Sequence, residues 1–406
     1  MLNKCPFAKT ASDLLGDDFD PLATDDPQST FDEYDKLRIE CPVARTSAYG
    51  SYWLLTRYED VKNAASDHTT FISSVKAVVP SDPRGLRRPP LNFDAPHHGP
   101  YRRALEKTLS PRRLLHLERP LEAQAEIELE KMLAKGGGDI CAEFGACFPA
   151  WMEALWLNLD DDLAPLLAKT ASEWVNGWRL MDRDATTRNS EILYQLAKDL
   201  VADRKVNLRD PEEDPVSSLL LERTAEGEPL LEEHIIGAVR QSLVVGMVAP
   251  PVILGSVCRH LSEDQKLQEK LRQEPELIPA AVEEFVRLYS PYRGFARTPS
   301  QEVQLHDRIL RPGEPVTMTY ASANRDPEHW NSPNEFILHR PNLASHLGFG
   351  IGRHQCAGRP LARMGLQIAL RVLLKSTTKF EVNGPFTFAR MPEVGLTGCP
   401  LAMYSV

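Results

Sequence analysis

The sequence predicts a mainly α-helical protein with small β-sheets, and three observations carry that expectation. Helical apolar periodicity dominates the middle of the chain, its longest run extending from Leu231 to Leu261. Short aromatic or β-branched runs bounded by Pro/Gly turns occur near the start and again between Val303 and Tyr320. No Gly/Ser-rich linker divides the 406 residues, since the punctuated stretches at Gly136 to Gly138 and Asp210 to Pro215 are too short to separate independent units. One domain, residues 1–406, is therefore expected, with enough apolar residues (42%) to enclose a cofactor.

In chain order, residues 28 to 38 read as a short helix. Ser51-Tyr52-Trp53-Leu54-Leu55-Thr56 suits a strand, and Arg57 to Val61 opens another helix. Ser74 to Pro90 has two Pro-containing turns, Arg84, Arg87 and Arg88, and little periodicity, which marks a loop. Residues 98 to 135 are helical in composition, broken at Ser110-Pro111, where a serine cap and a first-turn proline can start a new helix. Apolar helices follow over Phe144 to Leu159 and Leu163 to Met181. The second carries Trp174 and Trp178 at i,i+4, a spacing that suits core packing or a pocket lining. After the long central pattern comes a helix from about Pro279 to Leu288, then a strand-and-turn region. A last helix runs from near Gly358 to about Leu374.

Charge and cysteine usage narrow the function. A net charge of −10 opposes a nucleic-acid partner. No stretch approaches the ~20 consecutive apolar residues of a membrane helix, so a cytoplasmic protein without membrane contact, and a monomer, is expected. The seven cysteines are odd in number and lack any Cys-x-x-Cys pair, which argues against a disulfide framework, a zinc knuckle or an iron–sulfur site.

One of those cysteines stands apart. Phe349-Gly350-Ile351-Gly352-Arg353-His354-Gln355-Cys356-Ala357-Gly358 wraps backbone-permissive glycines around Cys356 just before the last helix. There, unsatisfied backbone donors favour thiolate over thiol. Every fixed position of this stretch resembles the haem-ligand signature of the cytochrome P450 family, with His354 in its basic place. The resemblance implies the P450 fold, haem b (iron protoporphyrin IX) as cofactor, Cys356 as the metal ligand, and Phe349, His354 and Gly358 as part of the cofactor-binding loop.

Further segments extend the resemblance over nearly the whole chain. Glu284-Phe285-Val286-Arg287 places a carboxylate and a guanidinium one helical turn apart. It resembles the family's Glu-x-x-Arg motif, whose pair joins a later arginine, here Arg340, in a structural brace for the cysteine loop. His98 and Arg102, four residues apart, resemble the family's haem-propionate contacts, as do Arg297 and His346.

The central helix departs from the family. Where most members carry Ala/Gly-Gly-x-Asp/Glu-Thr-Thr/Ser over the haem, this chain has Val245-Gly246-Met247-Val248-Ala249-Pro250-Pro251. Val248 stands at the acid and Ala249 at the threonine. Gly246 suits close approach to a ligand, and the tandem prolines are expected to kink the helix into a groove at the oxygen site. Gly246, Val248, Ala249 and Pro250 are thus the candidate catalytic positions, with Val245, Met247, Val248 and Ala249 forming an apolar distal face. Met247 to Pro250 also resembles P450s that demethylate methoxyphenols, although Ala249 departs from the glutamate associated with that group.

The resemblance implies a monooxygenase that inserts one oxygen atom from dioxygen into a small hydrophobic, aromatic substrate by hydroxylation or O-dealkylation. Electrons would come from a ferredoxin or flavodoxin-type donor with an NAD(P)H-dependent reductase. Arg112, Arg113, Arg353, Arg359 and Arg363 make the side nearest Cys356 locally basic and suit an acidic donor. A hydrogen-peroxide-dependent peroxygenase and a non-catalytic haem-binding sensor or carrier remain the alternatives.

Overall fold

The computed structural model describes residues 18–80 and 87–406. By contacts the chain forms two compact units. The first comprises Met1–Arg84, Glu283–Cys356 and Phe388–Gly395, and the second comprises Gly85–Val282, Ala357–Thr387 and Leu396–Val406. As expected, helices dominate and the sheets are small.

The first unit holds the five-stranded sheet, ordered Val43–Thr46, Tyr52–Leu55, Val316–Met318, Phe295–Pro299, Phe71–Ile72. Tyr52–Leu55 and Val316–Met318 run parallel, with Trp53 opposite Val316; the other pairs are antiparallel. A parallel pair needs a crossover between its strands, and here most of the chain supplies it. The opening helix, Pro27–Glu40, starts as its sequence dictates. Pro27 lies in the first turn, where no N–H is required, and Asp26 accepts from the Ser29 amide at 2.9 Å. Trp53, Leu55, Tyr58, Val61, Met318 and Trp330 build a core into which Leu347, from the segment leading to Cys356, also inserts.

The second unit holds most of the helices. The break at Ser110-Pro111 is present, although the serine makes no side-chain cap. Helices Phe144–Trp156 and Leu163–Arg179 match the apolar runs. Trp174 and Trp178 stack at 5.9 Å, and Arg240 lies 4.6 Å over the buried Trp174 ring, which places that tryptophan in core packing. Helix Arg183–Val206 is an addition to the sequence reading. It is polar on much of its surface, so apolar periodicity gives little sign of it, and Asp182 caps it by accepting from Asp184 and Ala185 amides. The strand Gly137–Asp139 pairs with Pro400–Ser405, which pairs with Thr377–Val382.

Three expectations need correction. The pattern over Leu231 to Leu261 is two helices, Glu232–Val245 and Ala249–Glu263. Pro250 and Pro251 fall in the first turn of the second, where a missing N–H costs nothing, so tandem prolines need no functional groove to be tolerated. Taken together, residues 232–263 are long and apolar enough to cross a membrane, but 67% of the most apolar window is buried inside the protein, as in a core helix. Cys41 is disulfide-bonded, with its partner outside the described residues. An odd cysteine count without close pairs leaves room for one bridge between distant positions.

Candidate functional site

The cysteine loop is shaped by its glycines. Gly350 (φ 68°) and Gly352 (φ 76°) adopt left-handed conformations that a side chain would strain. A Cβ on Gly352 would meet the Ala65 carbonyl oxygen at 2.6 Å, and one on Gly348 would meet Val286 Cγ1 at the same distance. The Gly350 amide donates to Leu347 O and the Cys356 amide to Phe349 O, each at 2.8 Å, which closes the loop. His354 ends a 3-10 turn, Gly352–His354, and is half-buried. The helix Arg359–Ser376, with Gly358 at its N-cap, begins three residues after Cys356.

Among the cysteines that form no disulfide, only Cys356 is exposed among the described residues. Burial pushes the Cys141 and Cys258 thiols well up and the Cys399 thiol up to about 12, which keeps all three protonated and inert. A solvent-reaching cysteine in a rigid, glycine-shaped loop is the donor a haem-thiolate centre requires. The residues present therefore fit that group.

Glu284, Arg287 and Arg340 meet as expected, and all three are buried. Arg287 grips Glu284 through two bonds, Nε to Oε2 and Nη2 to Oε1, both 2.8 Å; Arg340 Nε donates to Oε1 at 2.8 Å and the Ile337 amide at 3.1 Å. The guanidinium groups then spread over carbonyls. Arg287 Nη1 reaches those of Asn324 and Pro333 at 2.8 Å, while Arg340 reaches those of Asn331, Ser332 and Glu335. Asn324 is a residue the sequence reading missed. Its Oδ1 accepts from the Leu347 amide at 2.7 Å and its Nδ2 donates to Ser290 Oγ at 2.7 Å, so it ties the brace to the cysteine loop.

The proposed propionate contacts fare unequally. Arg297 is buried on strand Phe295–Pro299, donates to Ala296 O at 2.7 Å and acts electrostatically on Tyr320, whose phenol burial pushes up. Tyr320 in turn lies where a Cβ on Gly350 would meet its hydroxyl at 3.4 Å. His346 is committed elsewhere: Nε2 pairs with Glu283 at 3.0 Å and Nδ1 accepts from the Gly348 amide at 3.2 Å, so its nitrogens serve the loop itself. In the second unit, His98 opens helix His98–Thr108 and is buried, and Arg102, one turn on, pairs with Glu106 at 2.7 Å.

At the break between the central helices, Gly246 is the C-cap of the first and Val248 the N-cap of the second. Met247 and Val248 are buried, whereas Val245 is 45% exposed and Gly246, Ala249 and Pro250 are half-buried. Val245, Met247, Val248 and Ala249, expected to share an apolar face, thus differ in exposure across the break. Pro250 lines an apolar cleft with Phe144, Phe148, Met152, Leu254 and Leu366, the last from the helix that follows the cysteine loop. Arg84 lies outside the described residues. Arg87 donates to Asn92 O at 3.1 Å. Arg113 is neutralised by Glu212 and, at 3.8 Å, Glu213, which removes it from the expected basic surface.

Comparison with known proteins agrees with this geometry. The family described as Cytochrome P450 matches residues 174–385. The mycinamicin IV hydroxylase/epoxidase of Micromonospora griseorubida is 30% identical, over 91% of this chain and 94% of that protein. The steroid C26-monooxygenase of Mycolicibacterium smegmatis is also 30% identical, over 81% and 78% respectively. A crystal structure of a P450 from Novosphingobium aromaticivorans superposes with a TM-score of 0.82 over 93% of this chain and 95% of its own, at 24% identity, a likeness of fold. With its signature loop, its buried Glu–Arg brace and these relatives, the chain belongs to the cytochrome P450 family of haem-thiolate monooxygenases.

Proposed function

We propose that this P450 inserts one oxygen atom from dioxygen into a small hydrophobic, aromatic substrate, by hydroxylation or O-dealkylation, with electrons from a separate ferredoxin or flavodoxin-type donor and its NAD(P)H-dependent reductase. The observation that carries the reading is the exposed Cys356 in a loop tied to the buried Glu284–Arg287–Arg340 network. Haem b, held through Cys356, would supply dioxygen activation and oxygen-atom transfer. The chain's residues would hold that group. Phe349, His354 and Gly358 belong to the loop that would receive it, and Arg297, His98 and Arg102 are the candidates for its carboxylates. His346 is withdrawn from that set because its nitrogens serve Glu283 and Gly348.

Gly246, Ala249 and Pro250, half-buried at the helix break, are assigned to the oxygen and substrate face together with the buried Val248. The cleft at Pro250 is lined by apolar side chains, in keeping with an apolar surrounding for that face. The two units are read as one haem domain, since the family match runs through both. The protein is read as a cytoplasmic monomer with neither a membrane nor a nucleic-acid partner; the net charge of −10 disfavours the latter. Arg112, Arg353, Arg359 and Arg363 remain the basic residues offered to an acidic electron donor.

The absence of protic side chains at 248 and 249 favours one rival, a peroxygenase, because peroxide arrives with its own protons. The discriminating experiment compares product from NADH with surrogate redox proteins against product from peroxide alone, over an aromatic panel. Product that requires the reducing system supports the monooxygenase; product from peroxide only selects the rival; no product under either condition favours a sensor or carrier.

A further inference from the structure

We propose that Glu153, on a helix neighbouring the central pair, is the acid that supplies protons to the oxygen site, in place of the acid–alcohol pair that positions 248 and 249 lack. The inference rests on the reading of residues 245–250 as the oxygen-facing part of the central helix. Glu153 is a lone acid in the apolar helix Phe144–Trp156, and only 6% of its surface is exposed. Its carboxyl group lies against Gly246. A Cβ at 246 would run into Oε1 and meet Cδ at 2.7 Å, so this approach is open only to glycine. Among the described residues nothing hydrogen-bonds Oε2.

A buried carboxyl without partners is retained at a cost unless it has work to do. Its surroundings specify that work. Pro250 and Pro251, in the first turn of the second helix, have no N–H to offer the carbonyls of Gly246 and Met247 at the break, beside this acid. Burial alone pushes the Glu153 carboxyl up to about 8, with no neighbouring charge contributing, so it carries its proton at neutral pH. Monooxygenation consumes substrate C–H, dioxygen, two electrons and two protons and yields C–OH and water. The electrons come from the redox partner. Glu153 releases its O–H proton through water at the Gly246 break, becomes a carboxylate, and is reprotonated from solvent before the next transfer.

The test uses the haem-loaded enzyme and Glu153→Gln, a near-isosteric change that cannot release a proton. Infrared spectroscopy of the wild type at neutral pH should show a protonated-carboxylic-acid carbonyl band that the variant lacks. Driven by dioxygen and the reducing system, the variant should give ~10-fold less product per electron pair, more hydrogen peroxide and a larger solvent isotope effect. The ferrous carbon-monoxide spectrum should be unchanged. If Glu153→Gln fails to fold, Gly246→Ala, whose methyl must displace the carboxyl, should produce the same uncoupling. An unaltered infrared band, or equal coupling and isotope effect in variant and wild type, overturns the assignment of Glu153 while leaving the monooxygenase reading intact. Wild-type product formed with peroxide but not with dioxygen and the reducing system overturns both.

Discussion

Arg287 and Arg340 share one oxygen, Oε1 of Glu284, each at 2.8 Å, inside a region where all three side chains are buried. Two cations on one carboxylate would be a liability if charge were the whole of it. Here the surplus positive charge is spread over backbone carbonyls of residues 324 to 335, so the network is a clamp on the chain that leads to the cysteine loop.

Removing one member strands the others. Glu284→Gln or Arg287→Ala is expected to destabilise the fold by about 3–5 kcal/mol and to lower haem content sharply. Thermal melting and the haem-to-protein ratio check this; full loading with an unchanged melting temperature refutes the structural role.

Asn324→Ala tests the link between clamp and loop. It deprives the Leu347 amide of its acceptor inside the core and should cost ~1–3 kcal/mol. The ferrous carbon-monoxide complex should convert more readily to the form without thiolate ligation, measured by its Soret band on mild heating. Equal conversion rates in variant and wild type would mean that Asn324 does not support the loop.

Cys356→Ser should abolish the red-shifted Soret band of the ferrous carbon-monoxide complex from which the family takes its name, while Cys147→Ser leaves it in place. A normal band in Cys356→Ser would assign the ligand to another residue.

The buried acid makes a separate prediction about stability. The Glu153 pKa is raised in the folded state from 4.5 to about 8, so native protein binds more protons than unfolded protein between those values. Its contribution is fully present below the unfolded pKa and is lost as pH rises through the folded one. The wild type should therefore lose stability relative to Glu153→Gln as pH rises from about 4.5 to about 8. Melting curves across that window check it, and parallel curves would show that Glu153 is ionised or solvated in the folded protein.

Ala249→Thr places a hydroxyl in the first turn after the helix break. It should change the fraction of electrons recovered in product without altering the resting haem spectrum. Identical coupling would remove position 249 from the oxygen face.

What could be read from the sequence follows how local each feature is. The cysteine loop is ten consecutive residues with its geometry written in glycines, and Glu284 and Arg287 lie one helical turn apart, so both were legible. Arg340 came through family resemblance, since no spacing rule joins residues 284 and 340. Asn324 and Tyr320 act through contacts formed only on folding, and nothing in their neighbourhood marks them. Glu153 did leave a trace: one carboxylate in the run Phe144 to Trp156 is unusual in so apolar a helix. Residues 231 to 261 read as one kinked helix because apolar periodicity continues across the turn, whereas the two prolines mark the restart of a second helix.

Gly352 sets a mechanical tolerance on the cysteine loop. It packs so close to the end of helix Tyr58–Ser66 that a side chain there would run into the Ala65 carbonyl. A single added methyl at 352 would have to be absorbed by the helix end or by the four residues running to the sulfur. Ala65 and Ser66, distant in sequence from the signature, therefore help decide which residue position 352 can hold.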